Sequence, residues 1–433
     1  MNQHEVFVFE RYSFDPVLGQ ATFEYSFDGT RQFKEVVTFD TTGMVDHSAP
    51  AFEAAMQLAF LLAGVSYYKT FPTRSVSFKD LQLTSGQADF LNHVYLEGLS
   101  QFIYENKLGL DAIVRFEASS MQQPEPRVAG GEGMVCLQSG GKDSLLLASL
   151  LDEASASFTP WYVASGMFHP SVLDSLSGPL RTIHRQLDSE ALATATRDGG
   201  YNGHIPVTFV LTSYAILDAL LHGENTVLQA IGHEGAEPHA YVGDLAVNHQ
   251  WSKTWEAEQL MQRYVSEYIA ADIRVGSPLR SMTELKIAEL FAAHAWQKYG
   301  HSFSSCNVAN YGQQHDNTVL TWCGNCPKCA NSYLLFAPFV APDELRSLFG
   351  GSDLFAKESL TDDFKGLLGI DNVMKPFECV GEIDELRTAY HMARSRYGEE
   401  TYRLPFDVPY ADFDYNRHMP SQSWASALID HVY

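Results

Sequence analysis

The chain has 433 residues, 45% of them hydrophobic and 19% charged, which is enough material for two or three domains with a large core. Its formal net charge of −24 disfavours binding to a phosphate backbone, so we expect no nucleic-acid partner. Because it contains no run of eighteen apolar residues and no basic-then-apolar leader, we expect a cytoplasmic protein with no membrane span.

The first 130 residues predict a small N-terminal α+β module. Apolar and polar side chains alternate over the first forty residues, and an Asp-Gly turn signal interrupts them, which predicts an antiparallel hairpin or a three-stranded meander. Helices are predicted over 51–63 and 87–106. The stretch 119–133 has the composition of a linker, so we place the module at 1–130.

The stretch 134–151 carries the strongest functional signal. A short apolar run ends in Ser-Gly-Gly-Lys-Asp-Ser, and an apolar helical pattern follows. This order predicts a strand, a tight glycine turn and a helix that begins at the turn. Free backbone N–H groups and the positive end of the helix dipole suit a polyphosphate. The residues predicted to bind it are Ser139, Gly140, Gly141, Lys142, Asp143 and Ser144.

Beyond this stretch, apolar runs alternate with helical patterns. Strands are predicted over 160–164, 206–211 and 271–275. Helices are predicted over 178–188, 213–222, 255–268 and 283–299. The alternation predicts an α/β fold with a doubly wound parallel sheet and a ligand at the carboxyl ends of its strands. We place this domain at 131–345, followed by a helical or irregular C-terminal extension at 346–433 with a helix around 381–397.

Four of the six cysteines lie close together near the end of the predicted domain. Cys323, Cys326 and Cys329 follow a C-x₂-C-x₂-C spacing, and Cys306 precedes them. Thiolates at this spacing can wrap one zinc ion, and four of them leave no open position, so such a site would be structural. The alternative is buried or redox-active cysteines without a metal, because a loop must bring Cys306 back to the other three.

Two further loops concentrate polar or reactive side chains. The stretches 232–238 and 248–253 collect imidazole, indole, amide and ammonium groups, which is typical of functional loops, although a solvated loop would look the same. Cys379 lies within 375–382 and is either a reactive thiol or a small buried hydrophobe.

The glycine turn is not a Walker A loop, because Cys136 and Asp143 stand where that pattern requires Gly and Ser or Thr. It resembles instead the PP-loop of the ATP pyrophosphatases, which adenylate a substrate and release pyrophosphate. That resemblance implies a HUP-like sheet. The stretch 276–280, followed by Glu284 and Lys286, resembles a second PP-loop segment near the nucleotide, although a turn and an amphipathic helix account for it equally well.

Taken together, 139–144, 248–253, the cysteine triplet and 375–382 resemble the UDP-N-acetylmuramoyl-L-alanyl-L-glutamate epimerase family of peptidoglycan synthesis, from the N-terminal hairpin to about residue 382. The resemblance implies a small-molecule partner, the nucleotide-sugar dipeptide UDP-MurNAc-L-Ala-L-Glu. Its terminal L-Glu would be inverted to D-Glu with ATP and Mg²⁺, releasing AMP and pyrophosphate. The loop 233–236 departs from the family pattern, which bears on substrate specificity.

The implied chemistry assigns roles to individual side chains. Adenylating the glutamate carboxylate makes an anhydride whose carbonyl can accept charge when the Cα proton leaves. Lys142 would stabilise phosphate charge, and Asp143 would hold Mg²⁺ directly or through water. The candidate acid–base groups are His249, Lys253 and Cys379, on two loops that we expect to face each other across the adenylate.

Residues 67–69 are two tyrosines and a lysine, which could stack on uracil or contact a diphosphate, although core packing explains the tyrosines equally well. Three other functions remain open. A 7-cyano-7-deazaguanine synthase also combines a PP-loop with four cysteines but is shorter. A PP-loop amide ligase or thiolase would pass the adenylate to an amine or sulfur donor. A nucleotide-binding regulator would perform no chemistry.

Overall fold

The computed structural model describes residues 4–45, 49–121, 125, 127–166, 168–233, 237–310 and 318–433. The strands are β1 (Val6–Asp15), β2 (Gln20–Phe27), β3 (Arg31–Thr38), β4 (Ser75–Phe78), β5 (Met134–Leu137), β6 (Thr159–Ala164), β7 (Arg181–Gln186), β8 (Thr226–Leu228), β9 (Ala240–Val242), β10 (Leu245–Val247) and β11 (Arg274–Gly276).

The helices are α1 (Pro50–Ala63), α2 (Val65–Tyr68), α3 (Ser85–Leu96), α4 (Ser100–Glu105), α5 (Lys142–Glu153), α6 (Ser189–Arg197), α7 (Val207–Leu221), α8 (Trp255–Tyr264), α9 (Glu284–Leu290), α10 (Trp296–Tyr299), α11 (Asn307–Asn310), α12 (Pro327–Phe336), α13 (Pro342–Ser347), α14 (Thr361–Leu367), α15 (Ile383–Tyr397) and α16 (Ser423–Ser426). Short π-helical turns continue α8 over Val265–Ile269 and α9 over Phe291–Ala295. Within the described ranges, no helix is long and apolar enough to cross a membrane.

One mixed sheet runs through the molecule. Within the described residues it has nine strands in the order β11-β8-β5-β6-β7-β3-β2-β1-β4, and β9 pairs with β10 separately. The five strands from β11 to β7 are parallel, whereas β7, β3, β2 and β1 pair antiparallel in turn. The prediction of an α/β fold with a parallel sheet is confirmed, and the predicted N-terminal meander extends that same sheet. The domain boundaries at 130 and 345 stay predictions.

The central parallel strands β5 and β6 are buried on both faces. In β5, Val135 packs into the core formed by α1 and α7, while its neighbour Cys136 packs into the opposite core formed by α5, α9 and α12. Trp161 and Tyr162 of β6 divide between the two cores in the same way. Strands covered on both faces are apolar throughout rather than alternating, which explains the apolar sequences of β5 and β6. In a sheet of this kind, a ligand binds at the carboxyl ends of the strands.

The N-terminal strands pack around an aromatic core. Tyr67 and Tyr68 are fully buried. The ring of Tyr67 stacks on that of Tyr25 with centroids 5.2 Å apart, and Tyr68 Oη donates a hydrogen bond to the carbonyl of Thr73 (2.9 Å). Uracil stacking on these tyrosines is therefore wrong, and the alternative of core packing holds. Nearby, Lys69 Nζ donates to the carbonyl of Gly203 (2.7 Å).

Two predicted elements are wrong, each for a physical reason. The apolar run 206–211 is the start of α7, a helix buried on most sides, and such a helix shows no amphipathic period by which to distinguish it from a buried strand. The stretch 178–188 contains β7 rather than a helix. There, Ile183 and Arg185 alternate inward with exposed neighbours. This period-two pattern was hidden because one of the two inward residues is charged.

The remaining predicted helices agree with the structure in existence and approximate extent. The predicted helix 51–63 is α1, 381–397 is α15, and 255–268 and 283–299 are α8 and α9 with their π-helical continuations. The predicted helix 87–106 is interrupted between α3 and α4, where Leu99 leaves helical geometry.

Candidate active site

A cavity of about 660 Å³ lies at the carboxyl ends of β5, β6 and β8. Its lining residues are Leu137, Gln138, Ser139, Gly141, Lys142, Asp143, Ser144, Trp161, Tyr162, Val163, Ser165, Phe168, Val207, Thr208, Leu211, Gln229, Ala230, Ile231, Lys253, Glu284, Ser304, Ser305, Asn307, Lys328, Asn331, Ser332 and Cys379. The helices α5, α7 and α12 all begin at this cavity. Their positive N-terminal ends converge there, which favours an anionic ligand.

The glycine turn forms one edge of the cavity. Gly140 has φ of +77°, a conformation that glycine adopts readily, and a Cβ there would lie 2.5 Å from Leu320 Cδ1. Gly141 caps the N-terminus of α5. Ser144 Oγ accepts a hydrogen bond from the backbone N–H of Ser139 (3.2 Å) and donates one to the carbonyl of Gly141 (3.2 Å). The turn is therefore held in shape by its own side chains.

Lys142 lies inside the cavity wall between two carboxylates. Only 6% of the residue is exposed, and its Nζ donates to Asp143 and to Glu284 Oε2 (2.9 Å). Burial alone would lower the pKa of Lys142, but the charges of Asp143 and Glu284 outweigh burial and raise this pKa above its ordinary value. Glu284 begins α9. The ammonium therefore stays charged next to the start of α5.

The two loops expected to carry acid–base groups lie side by side. Gln250 Nε2 donates to the carbonyl of Val380 (3.3 Å), which ties 248–253 to 375–382. The backbone N–H of Gly381 donates to Asn331 Oδ1 (3.1 Å), so α12 supports the second loop. From these loops, Lys253 and Cys379 reach the cavity that also holds the glycine turn.

His249 occupies a different position on the same loop. Its Nδ1 lies 2.6 Å from Gln101 Oε1, and its ring centroid lies 4.5 Å from that of His204. Burial, together with the charges of Lys253 and Lys328, lowers the pKa of His249 to about 4 against an opposing effect of Glu378. It is therefore neutral near pH 7. His249 is not among the described residues that line the cavity. Its role as an acid–base group therefore stays a prediction.

The N-terminal strands and helices support this loop from behind. Ser100 Oγ accepts a hydrogen bond from the backbone N–H of Asn248 (3.3 Å), and Gln101 holds the His249 ring. Both supporting residues belong to α4. Among the described residues that line the cavity, none precedes Leu137. The N-terminal region thus positions the loop from outside the cavity.

The stretch 276–280 forms part of the wall behind the cavity. Ser277 Oγ accepts a hydrogen bond from the backbone N–H of Ile231 (3.0 Å), a lining residue. Glu284, which follows this stretch, reaches Lys142. Of the loop 233–236, His233 Nε2 lies 3.6 Å from Glu382 Oε1. The other residues of that loop, 234–236, lie outside the described residues.

The four predicted zinc ligands come together. The sulfurs of Cys306, Cys323, Cys326 and Cys329 all lie within 4.8 Å of one another, with close pairs at 3.5 to 3.7 Å. A tetrahedral ion with zinc–sulfur bonds of about 2.3 Å requires sulfur separations of about 3.8 Å. Backbone N–H groups of Asn325 and Ala309 donate to two of the sulfurs. The cluster therefore fits a structural metal such as zinc.

The cysteine cluster also fixes the start of α12, because Cys326 is the N-cap residue of this helix, and it thereby places Lys328 at the cavity. Lys328 lies between two of the cysteines in sequence and lines the cavity, with its Nζ 3.7 Å from Glu378 Oε2. The cysteine spacing around Lys328 predicted a metal site alone and gave no sign of this second position. Gln229 and Asn331 were missed as well, because neither lies in a motif. Their only sequence signal is position: Gln229 directly follows a buried strand.

Comparison with known proteins matches most of the chain to one family. A family model described as the MurL N-terminal domain matches residues 1–277, and one described as the MurL C-terminal domain matches 302–403. A protein of Xanthomonas oryzae pv. oryzae named UDP-N-acetyl-alpha-D-muramoyl-L-alanyl-L-glutamate epimerase is 34% identical over 91% of this chain and 87% of its own length.

Two further relatives carry the same name. The protein of Micromonospora sp. is 31% identical over 89% of this chain and 86% of its own length. The protein of Salinispora tropica is 30% identical over 100% of this chain and 93% of its own length. The similarity therefore spans both the strands of the sheet and the cysteine cluster.

Proposed function

Because this chain belongs to the MurL family, we propose that it inverts the terminal L-Glu of UDP-MurNAc-L-Ala-L-Glu to D-Glu, as an enzyme of peptidoglycan synthesis. The names of its relatives support the substrate and the reaction. We further propose that ATP is consumed, with AMP and pyrophosphate as products.

The observation that carries this proposal is the composition of one cavity. The glycine turn with Lys142 lies at one side, and Lys253 and Cys379 lie within the same lining. Phosphate-binding groups and groups able to exchange a proton therefore share a space of about 660 Å³. That arrangement suits a reaction in which a carboxylate is first activated and its neighbouring carbon is then deprotonated.

In the activation step, the α-carboxylate of the glutamate attacks the α-phosphorus of ATP, and the bond to the β-phosphate breaks as pyrophosphate leaves. Backbone N–H groups at the start of α5 and the Lys142 ammonium would bind the phosphate oxygens. Asp143 and Glu284 supply carboxylate oxygens at the cavity, which fit Mg²⁺. When bound, Mg²⁺ would neutralise phosphate charge.

In the inversion step, the anhydride carbonyl accepts the charge left when a base removes the Cα proton. A second group then returns a proton to the opposite face, and water cleaves the anhydride to release AMP and the D-product. Cys379 is half-buried in the cavity lining and Lys253 lies on the adjoining loop, so we assign these two the proton transfers. His249 is neutral near pH 7 and lies on the same loop as Lys253, outside the cavity lining. It would support the proton transfers from that position.

The testing experiment combines the purified protein with ATP, Mg²⁺ and UDP-MurNAc-L-Ala-L-Glu. We expect D-Glu after acid hydrolysis and chiral separation, with AMP formed alongside. ADP and phosphate as products would contradict activation at the α-phosphorus. L-Glu recovered unchanged, with AMP formed only when an amine or sulfur donor is added, would instead support a PP-loop ligase or thiolase.

A further inference from the structure

A buried arginine connects two segments of the cavity wall. Arg280 is 1% exposed, and its Nε donates to Glu258 Oε2 (2.8 Å). Its Nη1 donates both to the carbonyl of Gly232 (2.7 Å) and to the carbonyl of Lys253 (2.7 Å). One guanidinium therefore links the end of the wall segment 229–232 to the backbone of Lys253, a residue that lines the cavity.

The arrangement requires the planar fork of an arginine. A lysine ammonium could pair with Glu258 but lacks the fixed set of donors that reaches the carboxylate and both carbonyls at once. The carboxylate of Glu258 lies in the first turns of α8, and Lys253 lies just before this helix. Thr254 separates the two: its side chain caps α8 by accepting a hydrogen bond from the backbone N–H of Ala257 (3.3 Å). Arg280 thus holds the beginning of α8 against the cavity wall.

The C-terminal segment completes this contact. Gln422 Nε2 donates to the second carboxylate oxygen of Glu258 (3.0 Å) and to the carbonyl of Val275 (2.8 Å). Trp424 Nε1 donates in turn to Gln422 Oε1 (2.7 Å). A Cβ at Gly276 would lie 2.9 Å from Gln422 Nε2, so the glycine makes room for this side chain. The segment 404–433, which carries Gln422, lies outside both ranges matched by the family models.

We propose that Arg280 and Gln422 are positioning residues for Lys253, and that the segment 404–433 is a functional part of the active site. The proposal rests on the proposed function, in which Lys253 acts on the activated substrate. Gln422 orients Glu258, Glu258 orients Arg280, and Arg280 holds the carbonyl of Lys253. Loss of this connection would displace the Lys253 ammonium, and a displacement of about 1 Å can cost up to about a hundredfold in rate.

The first test measures the connection without relying on activity. Gln422→Ala removes the donor while keeping the Arg280–Glu258 pair, so it avoids the unpaired buried carboxylate that Arg280→Ala would create. His431→Ala is the control, because His431 is exposed in the same segment. We expect about tenfold faster amide hydrogen exchange over 229–233 and 250–255 in Gln422→Ala only. Exchange equal to that of the wild type would overturn the proposal.

The second test separates positioning from general stability. We expect Gln422→Ala to lower kcat about tenfold while the KM for ATP stays within about twofold. Added to Lys253→Ala, it should lower kcat no further, because it acts through the missing side chain. Arg280→Lys should behave in the same way. Multiplicative losses in the double variant would overturn the positioning role.

The two tests also distinguish this inference from the proposed function. A wild-type protein that forms no AMP and inverts no glutamate would refute the proposed function and, with it, the role of Lys253. Hydrogen exchange would still decide whether the C-terminal segment holds the start of α8. Activity in the wild type with unchanged exchange in Gln422→Ala would refute this inference alone.

Discussion

Replacing Lys142 by methionine should both stop turnover and destabilise the fold. The structure buries the Lys142 ammonium between Asp143 and Glu284, whose side chains are 29% and 11% exposed. Removing one partner of a buried ion pair costs about 3–5 kcal/mol, because the remaining charge stays uncompensated. Since Asp143 is partly hydrated, we expect about 3 kcal/mol for Lys142→Met, at the lower end of that range.

A matched control is available on α9. Lys286 Nζ pairs with Glu289 Oε2 (2.6 Å), but both side chains are about a quarter to a third exposed. Lys286→Met should therefore cost less than about 1 kcal/mol. A second variant, Lys142→Met with Glu284→Gln, removes one of the uncompensated charges and should recover part of the lost stability while remaining inactive.

Urea unfolding, followed by tryptophan fluorescence, measures these differences, and AMP formation measures turnover. The pKa of Lys142 is raised, so its stabilising effect is present at all pH values below its ordinary pKa and is lost only as the pH rises through the raised value. The cost of Lys142→Met should thus be constant from pH 6 to 9, a range that lies wholly below the ordinary pKa of lysine. Equal costs for Lys142→Met and Lys286→Met would refute this reasoning.

Three further predictions address other parts of the structure. The purified protein should contain one zinc per chain by elemental analysis; Cys323→Ser should lose it and Cys379→Ser should keep it, whereas a metal-free wild type with freely titratable thiols would contradict the site. Cys379→Ala should still form AMP from substrate but lose deuterium incorporation at the glutamate Cα, and exchange at the wild-type rate would exclude this thiol from proton transfer. The pKa of His249 is lowered to about 4, so the unfolded chain binds a proton below pH 6.5 that the folded chain does not, and stability should fall as the pH drops from 6.5 to 4. In urea titrations, His249→Gln should reduce this loss in the free energy of unfolding by up to ~3 kcal/mol. A variant whose stability depends on pH as that of the wild type does would contradict a buried, neutral histidine.

Local patterns were enough for the parts of the site that lie within one stretch of chain. The glycine turn could be predicted because its strand, its two glycines and its helix are consecutive in sequence. The cysteine triplet could be predicted because its spacing alone lets three thiols reach one ion. The alternation of the first forty residues likewise predicted the meander, since each strand pairs with its neighbour in sequence.

Contacts between distant segments were decided only by the tertiary structure. Arg185 looks like a surface residue in sequence, yet it is buried in β7 because Glu35 of β3 pairs with it (2.7 Å). The apolar run at 206–211 forms a helix, α7, that packs against α1 and against the strands β5 and β8, and its own period does not reveal this outcome.

The site itself shows the same division. Sequence alone indicated the lysine of the glycine turn, the two loops and the four cysteines by local chemistry. That Glu284 pairs with Lys142, that Gln250 joins the loop of Cys379, and that Lys328 reaches the same cavity follow from how helices and loops meet at the sheet edge. Such contacts join residues far apart in sequence, and their partners are chosen by packing of the whole chain rather than by any local spacing.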